Sequence, residues 1–121
     1  MIRLTAMLRR NPALTAEQFH AHWRDVHAAK VRSVPGVAGW VVRYEQHPRL
    51  PAGAGLWTGS DGFDGVAVQW YRSVDDFHAM VADAEYRRVV APDERYLLDL
   101  AGSVFLLTDE PRTVIEPGWP G

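Results

Sequence analysis

AEQFHAHWRDVHAAK, residues 16–30, carries three of the chain's five histidines and a tryptophan within about four helical turns. Just before it, Thr15-Ala16-Glu17-Gln18 has the spacing of a capping box, in which Thr15 accepts an amide hydrogen bond and Gln18 reaches back. A helix starts here, and Pro35-Gly36 is expected to stop it, because proline cannot continue a helix. At about 100° per residue, Phe19, Trp23, Val26 and the stem of Lys30 fall within about 60° of one another. They form the stripe expected to face the core. His22 and His27 lie on opposite borders of that stripe, and His20 lies further out. Metal-binding helices use histidines at i and i+4, whereas His22 and His27 are spaced wider and diverge, so no metal is expected.

The flanking segments alternate with strand periodicity. Ile2, Leu4, Ala6 and Leu8 share one face against Arg3, Thr5, Met7 and Arg9. Residues 38–46, AGWVVRYEQ, are expected as a second strand with Trp40, Val42 and Tyr44 opposing Val41, Arg43 and Glu45. A Gly- and Pro-rich loop from Pro48 to Gly62, with Trp57 at its middle, has the length of a functional or mobile loop. Residues 63–71, FDGVAVQWY, set Val66, Val68 and Trp70 against Ala67, Gln69 and Tyr71, apolar on both sides as in a doubly buried strand. Ser73-Val74-Asp75-Asp76 then caps a second helix with core positions Phe77, Met80, Val81 and Ala84, which Pro92 ends or kinks. Residues 103–108, SVFLLT, are a fourth strand, and residues 109–121 form an extended tail.

The order is βαββαβ. It predicts an α+β, ferredoxin-like sandwich over residues 1–121, an antiparallel four-stranded sheet with two helices on one face. Two helices cover only one sheet face, yet Phe63, Trp70, Tyr71 and Phe105 supply apolar groups to both. A second copy of the sheet across a two-fold axis is the simplest cover, so a homodimer closing an α/β barrel is expected, with the tail reaching across it.

Composition bounds the function. With 121 residues, 47% hydrophobic and 23% charged, the chain supports one ordinary core. A formal net charge of −2 without any Lys/Arg block argues against nucleic acid or an anionic membrane as partner. The absence of cysteine removes disulfides, thiolate ligands and a cysteine nucleophile together. MIRLTAMLRR lacks a signal-peptide core, and no run approaches the roughly 18 apolar residues of a membrane span, so a cytoplasmic protein is expected.

MLRRNP, then LTAEQFHAHWRDVHAAKVRSVPGVAGW, RYEQHP and FDGVAVQWYRSVDDF together resemble the EthD-domain family of the dimeric α/β-barrel superfamily. The specific pieces are Glu17, Phe19, His22, Trp23, Val26 and His27 as E-x-F-x-x-H-W-x-x-V-H, the Pro35-Gly36 pair, Tyr44 with Gln46-His47, and Asp64-Gly65 followed by Trp70-Tyr71 and Ser73. The resemblance implies a homodimer with an apolar cleft between sheet and helices. Relatives include decarboxylases, dehydratases, polyketide cyclases, isomerases and cofactor-free monooxygenases. Its best-matched imidazole is His27. Relatives commonly continue His-Gly-Pro-Leu there, whereas this chain reads His27-Ala28-Ala29-Lys30, which adds a cation.

The residue types then suggest a chemistry. An imidazole with a pKa near ~6.5 lets His27 remove a proton beside a carbonyl or return one. Tyr44, His47 or Lys30 could hold the developing oxyanion. Phe19, Trp23, Trp40 and Trp70 offer planar apolar walls for a ring, and with His22 and Lys30 complete the expected substrate-binding set. A cofactor-independent lyase, cyclase or isomerase acting on a small aromatic or polyketide-like molecule is the leading expectation, with no cofactor. A non-catalytic small-molecule-binding accessory protein and a cofactor-free monooxygenase are the alternatives. Alternation fixes which residues share a side, not which side lines the cleft.

Overall fold

The computed structural model describes residues 1–51, 62–118 and 120. Strands β1 (Ile2–Leu8), β2 (Val41–Pro48), β3 (Gly65–Tyr71) and β4 (Val104–Thr108) form one antiparallel sheet in the order β2-β3-β1-β4. This is the ferredoxin-like α+β arrangement that the pattern of periods predicts. Most of the long loop expected between Pro48 and Gly62, Trp57 included, lies outside the described residues.

Between β1 and β2 run α1 (Ala16–Ala21), a π-helical segment His22–His27, α2 (Ala28–Ser33) and the short α3 (Pro35–Trp40). The capping box is formed: Gln18 N donates to Thr15 Oγ1 at 3.1 Å and Thr15 N to Gln18 Oε1 at 2.9 Å. After β3 come α4 (Val74–Ala82), capped by Ser73, a second π-helical segment Tyr86–Val90, and α5 (Ala91–Leu97). No helix among the described residues is long and apolar enough to cross a membrane.

Three expectations are corrected. The stripe of the first helix holds Phe19, Trp23 and His27, all buried, while Val26 is 40% exposed. Each i→i+5 turn takes in roughly one residue more than an α turn, so across His22–His27 the wheel rotates, bringing His27 under Trp23 and turning Val26 out. Pro35 does not simply end the helix. Val34 turns extended and Pro35 opens α3, where its missing N–H is no loss and its fixed φ suits a first turn. Trp40 therefore ends a helix and is not part of β2, and a bulge between Val41 and Arg43 resets the register. Finally, Ala84 is exposed beyond the end of α4, and Val81 is 37% exposed at its rim.

The pairing Leu4↔Gln69, Ala6↔Ala67 and Tyr44↔Gln69 turns these residues toward the helices. One core cluster is built from Ala6, Leu8, Phe19, Trp23, Ala67 and Leu97, the other from Val34, Val37, Tyr71, Met80 and Val90. Burying each aromatic ring is worth roughly 1.5–3 kcal/mol relative to exposure. Trp23 can lie flat on β3 only because residue 65 is glycine: a Cβ there would stand 2.8 Å from the indole ring and 2.9 Å from the carbonyl oxygen of His47. The helix-free face carries Met7, Val66, Val68, Trp70, Val104 and Leu106, with Leu106 61% exposed.

Candidate active site

Between the two core clusters lies a cavity of about 210 Å³. Its floor is sheet (Leu4, Ala6, Ala67, Gln69), its walls are helical (Trp23, Val37, Met80, Val90), and Phe105 stands at the β4 edge. The polar side chains in this apolar lining are His27, Tyr44, Gln69, Tyr86 and Glu94, and none of the described lining residues is lysine or arginine. Both π-helical segments contribute, His27 and Trp23 from the first and Tyr86 and Val90 from the second. Such irregular turns recur at functional sites because they re-aim single side chains.

Behind the cavity wall Asp93, only 4% exposed, is shared by His27, His22 and Lys30. His27 Nδ1 lies 2.8 Å from its Oδ2, and His22 Nε2 lies 2.7 Å from its Oδ1. Lys30 Nζ donates to Oδ1 at 3.4 Å. Burial alone would raise the Asp93 carboxyl, but hydrogen bonds from His22 and His27 outweigh it and hold the pKa below the ordinary carboxylate value. The carboxylate thus accepts from His27 Nδ1–H, which fixes the ring and its tautomer and leaves the Nε2 lone pair. Among the described residues no hydrogen-bond partner is present for Nε2, and His27 lines the cavity. Burial also lowers the His27 pKa, more than Asp93 restores it, so the imidazole is neutral and basic at neutral pH.

The phenols of the site keep their protons at neutral pH. Burial raises the Tyr44 hydroxyl, and the same cause raises Tyr71 and Tyr86. Tyr71 Oη donates to Gln69 Oε1, and Gln46 Nε2 donates to the carbonyl of Trp23 at 2.9 Å, tying β2 to the first π turn. Glu94 is pushed up to about 7, chiefly by burial, with its oxygens 2.9 and 2.8 Å from the Tyr86 hydroxyl.

Of the residues singled out in the sequence, His27, Tyr44 and Trp23 line the cavity. His22 and Lys30 reach it through Asp93. Phe19 lies beneath Trp23 with ring centroids 5.4 Å apart, and Trp40 packs on the second core cluster. His47 and Trp70 are on the helix-free face: His47 Nε2 is 2.8 Å from Glu45 Oε1, and Arg3 and Arg43 stand over the Trp70 ring at 5.3 and 5.6 Å. The sequence reading missed Asp93, Glu94, Tyr86 and Gln69. Asp93 and Glu94 follow Pro92, which reads as a helix end, and Tyr86 sits where the second π turn breaks the period. The only signal was two adjacent acids after a proline. No group of three His, Cys, Asp or Glu side chains able to hold a metal occurs among the described residues.

A family model for the EthD domain matches residues 11–101, about three quarters of the sequence and all of the elements that frame this cavity except β1 and β4. The chain belongs to the EthD-domain family. Among solved structures, this EthD domain is similar to an ethyl tert-butyl ether d (EthD) family protein from Bacillus halodurans at 17% identity and TM-score 0.65, covering 92% of this chain and 99% of that one. A dimeric ferredoxin-like protein of unknown function from Thermobifida fusca is 20% identical with TM-score 0.61, covering 88% of each chain. A hydroxynitrile lyase from Passiflora edulis is 16% identical with TM-score 0.68, covering 93% of this chain and 94% of that one. No curated protein matches the sequence.

Proposed function

We propose that this EthD domain is a cofactor-independent acid/base enzyme, of the lyase, cyclase or isomerase type, acting on a small aromatic or polyketide-like molecule. The observation that carries the reading is the 2.8 Å contact between His27 Nδ1 and Asp93 Oδ2 at the wall of an apolar cavity. A carboxylate that orients an imidazole and stabilises its protonated form is the arrangement that makes histidine an effective base. In the proposed step Nε2 takes a proton from a carbon beside a carbonyl, and the electron pair moves onto the carbonyl oxygen. Tyr44, held as a phenol, donates to that oxygen. Trp23 and Phe105 supply flat walls for a ring, and the apolar lining excludes water from the intermediate. A hydroxynitrile lyase of similar fold supports the view that this fold can host lyase chemistry.

The active form proposed is a homodimer. Met7, Val66, Val68, Trp70, Val104 and Leu106 make an apolar patch on the helix-free face. Patches of this extent mark association surfaces. The dimeric ferredoxin-like protein from Thermobifida fusca supports a dimer of this fold.

The test is a tryptophan fluorescence titration against a panel of phenols, lactones and aromatic ketones, with turnover followed in the same samples, on wild type and His27→Ala. Saturable quenching with conversion in wild type and none in the variant is expected. Saturable binding by both with conversion by neither identifies a binding protein instead.

A further inference from the structure

We propose that Glu94 is the proton donor of this cavity and that the ligand it serves is an uncharged, enolisable carbonyl compound. The inference rests on the base role proposed above for His27.

Glu94 and Asp93 are neighbours in α5 with different partners. Asp93 turns to the histidines and Lys30, whereas Glu94 lines the cavity and meets the Tyr86 hydroxyl through both oxygens, at 2.9 and 2.8 Å. A single hydroxyl within reach of both oxygens can serve the carboxyl in either protonation state. It donates to the carboxylate, and in the acid it donates to one oxygen while accepting from the other. No lysine, arginine or histidine pairs with Glu94 among the described residues. The titratable groups facing it are Tyr86 from the second π segment, Tyr71 from β3 and Tyr44 from β2, with Asp93 and Arg95 on its own helix. Phenols are neutral here, so nothing in the cavity offsets a full negative charge on Glu94, and burial keeps it protonated up to about pH 7.

An acid and a base in one cavity permit a balanced enolisation. His27 Nε2 takes the proton from the carbon beside the carbonyl, the released pair forms the carbon–carbon double bond, and the carbonyl oxygen takes the proton of Glu94. The products are an enol, an imidazolium held by Asp93 and a carboxylate held by Tyr86, with the total charge unchanged. Where the enol is conjugated with a second double bond, delivery of the imidazolium proton to the far carbon, with the enol O–H proton returning to the Glu94 carboxylate, gives isomerisation and restores both residues. A ligand bearing its own carboxylate or phosphate would meet no lysine or arginine in the described lining and would face Glu94, so the class expected is neutral.

The experiment uses benzoylacetone as the neutral probe and benzoylacetate as the anionic one. Carboxyl carbon NMR of glutamate-labelled protein should show one resonance titrating near pH 7, missing in Glu94→Gln. Fluorescence titration should show wild-type affinity for benzoylacetone falling about tenfold between about pH 6 and 8, as the donor ionises, and no such fall in Glu94→Gln. Benzoylacetate should not bind wild type. A Glu94 carboxyl titrating in the ordinary range, the same pH profile in both proteins, tighter binding of benzoylacetate than of benzoylacetone, or no binding of benzoylacetone near pH 6 overturns the proposal. Deuterium exchange into benzoylacetone, followed in His27→Ala, separates the two readings. Exchange that survives this change with the Glu94 pH profile intact removes His27 as base and leaves Glu94 as donor.

Discussion

His27 Nδ1 and Asp93 Oδ2 lie 2.8 Å apart although 66 residues separate them in the chain. The contact joins the first π-helical segment to α5 and makes the base of the site depend on a residue from the other half of the fold. Replacing Asp93 by Asn keeps the shape but removes the charge that selects the Nδ1–H tautomer. Turnover should fall by a factor on the order of 10² to 10⁴ with the fold retained. Asp93→Ala should unfold more easily, by about 1–3 kcal/mol in urea denaturation, because it leaves the buried His27 Nδ1–H without its acceptor. An Asn variant with wild-type turnover would rule out the dyad.

Gly65 sits against the indole of Trp23. Adding a methyl group forces the ring or the strand to move, since the new carbon would stand 2.8 Å from two ring atoms. Gly65→Ala should cost about 1–3 kcal/mol. It should also weaken binding of any ring-bearing ligand, because Trp23 shifts into the cavity it lines. A stability change within about 0.5 kcal/mol would show that the packing is looser than described.

Much of this was legible beforehand. The alternation of Ile2, Leu4, Ala6 and Leu8, the Thr15–Gln18 capping box and the Ser73 cap depend on local periodicity and short-range hydrogen bonds, and each stands in the structure as read. What could not be read is whatever depends on departures from the α period. The extra residue taken up by His22–His27 moved His27 from the border of the stripe to its centre and Val26 out of it. The same departure at Tyr86–Val90 hid Tyr86, and Asp93 is recognisable only once α5 packs against the first π segment. Trp40 and Trp70 read as cleft walls because aromatic residues near a match to family motifs suggest stacking. A bulge and a two-residue alternation decide otherwise, and neither leaves a mark in composition.

Glu94 makes stability depend on pH with a definite sign. Its carboxyl is raised from 4.5 to about 7 on folding, so its contribution is fully present below 4.5 and is lost as pH rises through about 7. Thermal melts of wild type should therefore fall relative to Glu94→Gln between those values and run parallel above them. His27 acts oppositely, since its lowered pKa costs stability as pH falls below 6.5. The difference between wild type and Glu94→Gln isolates the glutamate. A difference independent of pH would contradict the burial ascribed to it.

Leu106, 61% exposed on the helix-free face, is the position at which to break the proposed dimer. Leu106→Arg should give a folded chain of single mass by light scattering, where wild type gives twice that mass. A wild type of single mass at micromolar concentration would remove the dimer.

The basicity of His27 can be measured without any ligand. Nitrogen NMR of histidine-labelled protein, with His27→Ala to assign the ring, reports its tautomer and its titration. At neutral pH the imidazole should be neutral, protonated at Nδ1 with Nε2 bare, and should take up its second proton only below 6.5. A ring already doubly protonated at pH 7, or one carrying its proton on Nε2, would mean that no base faces the cavity.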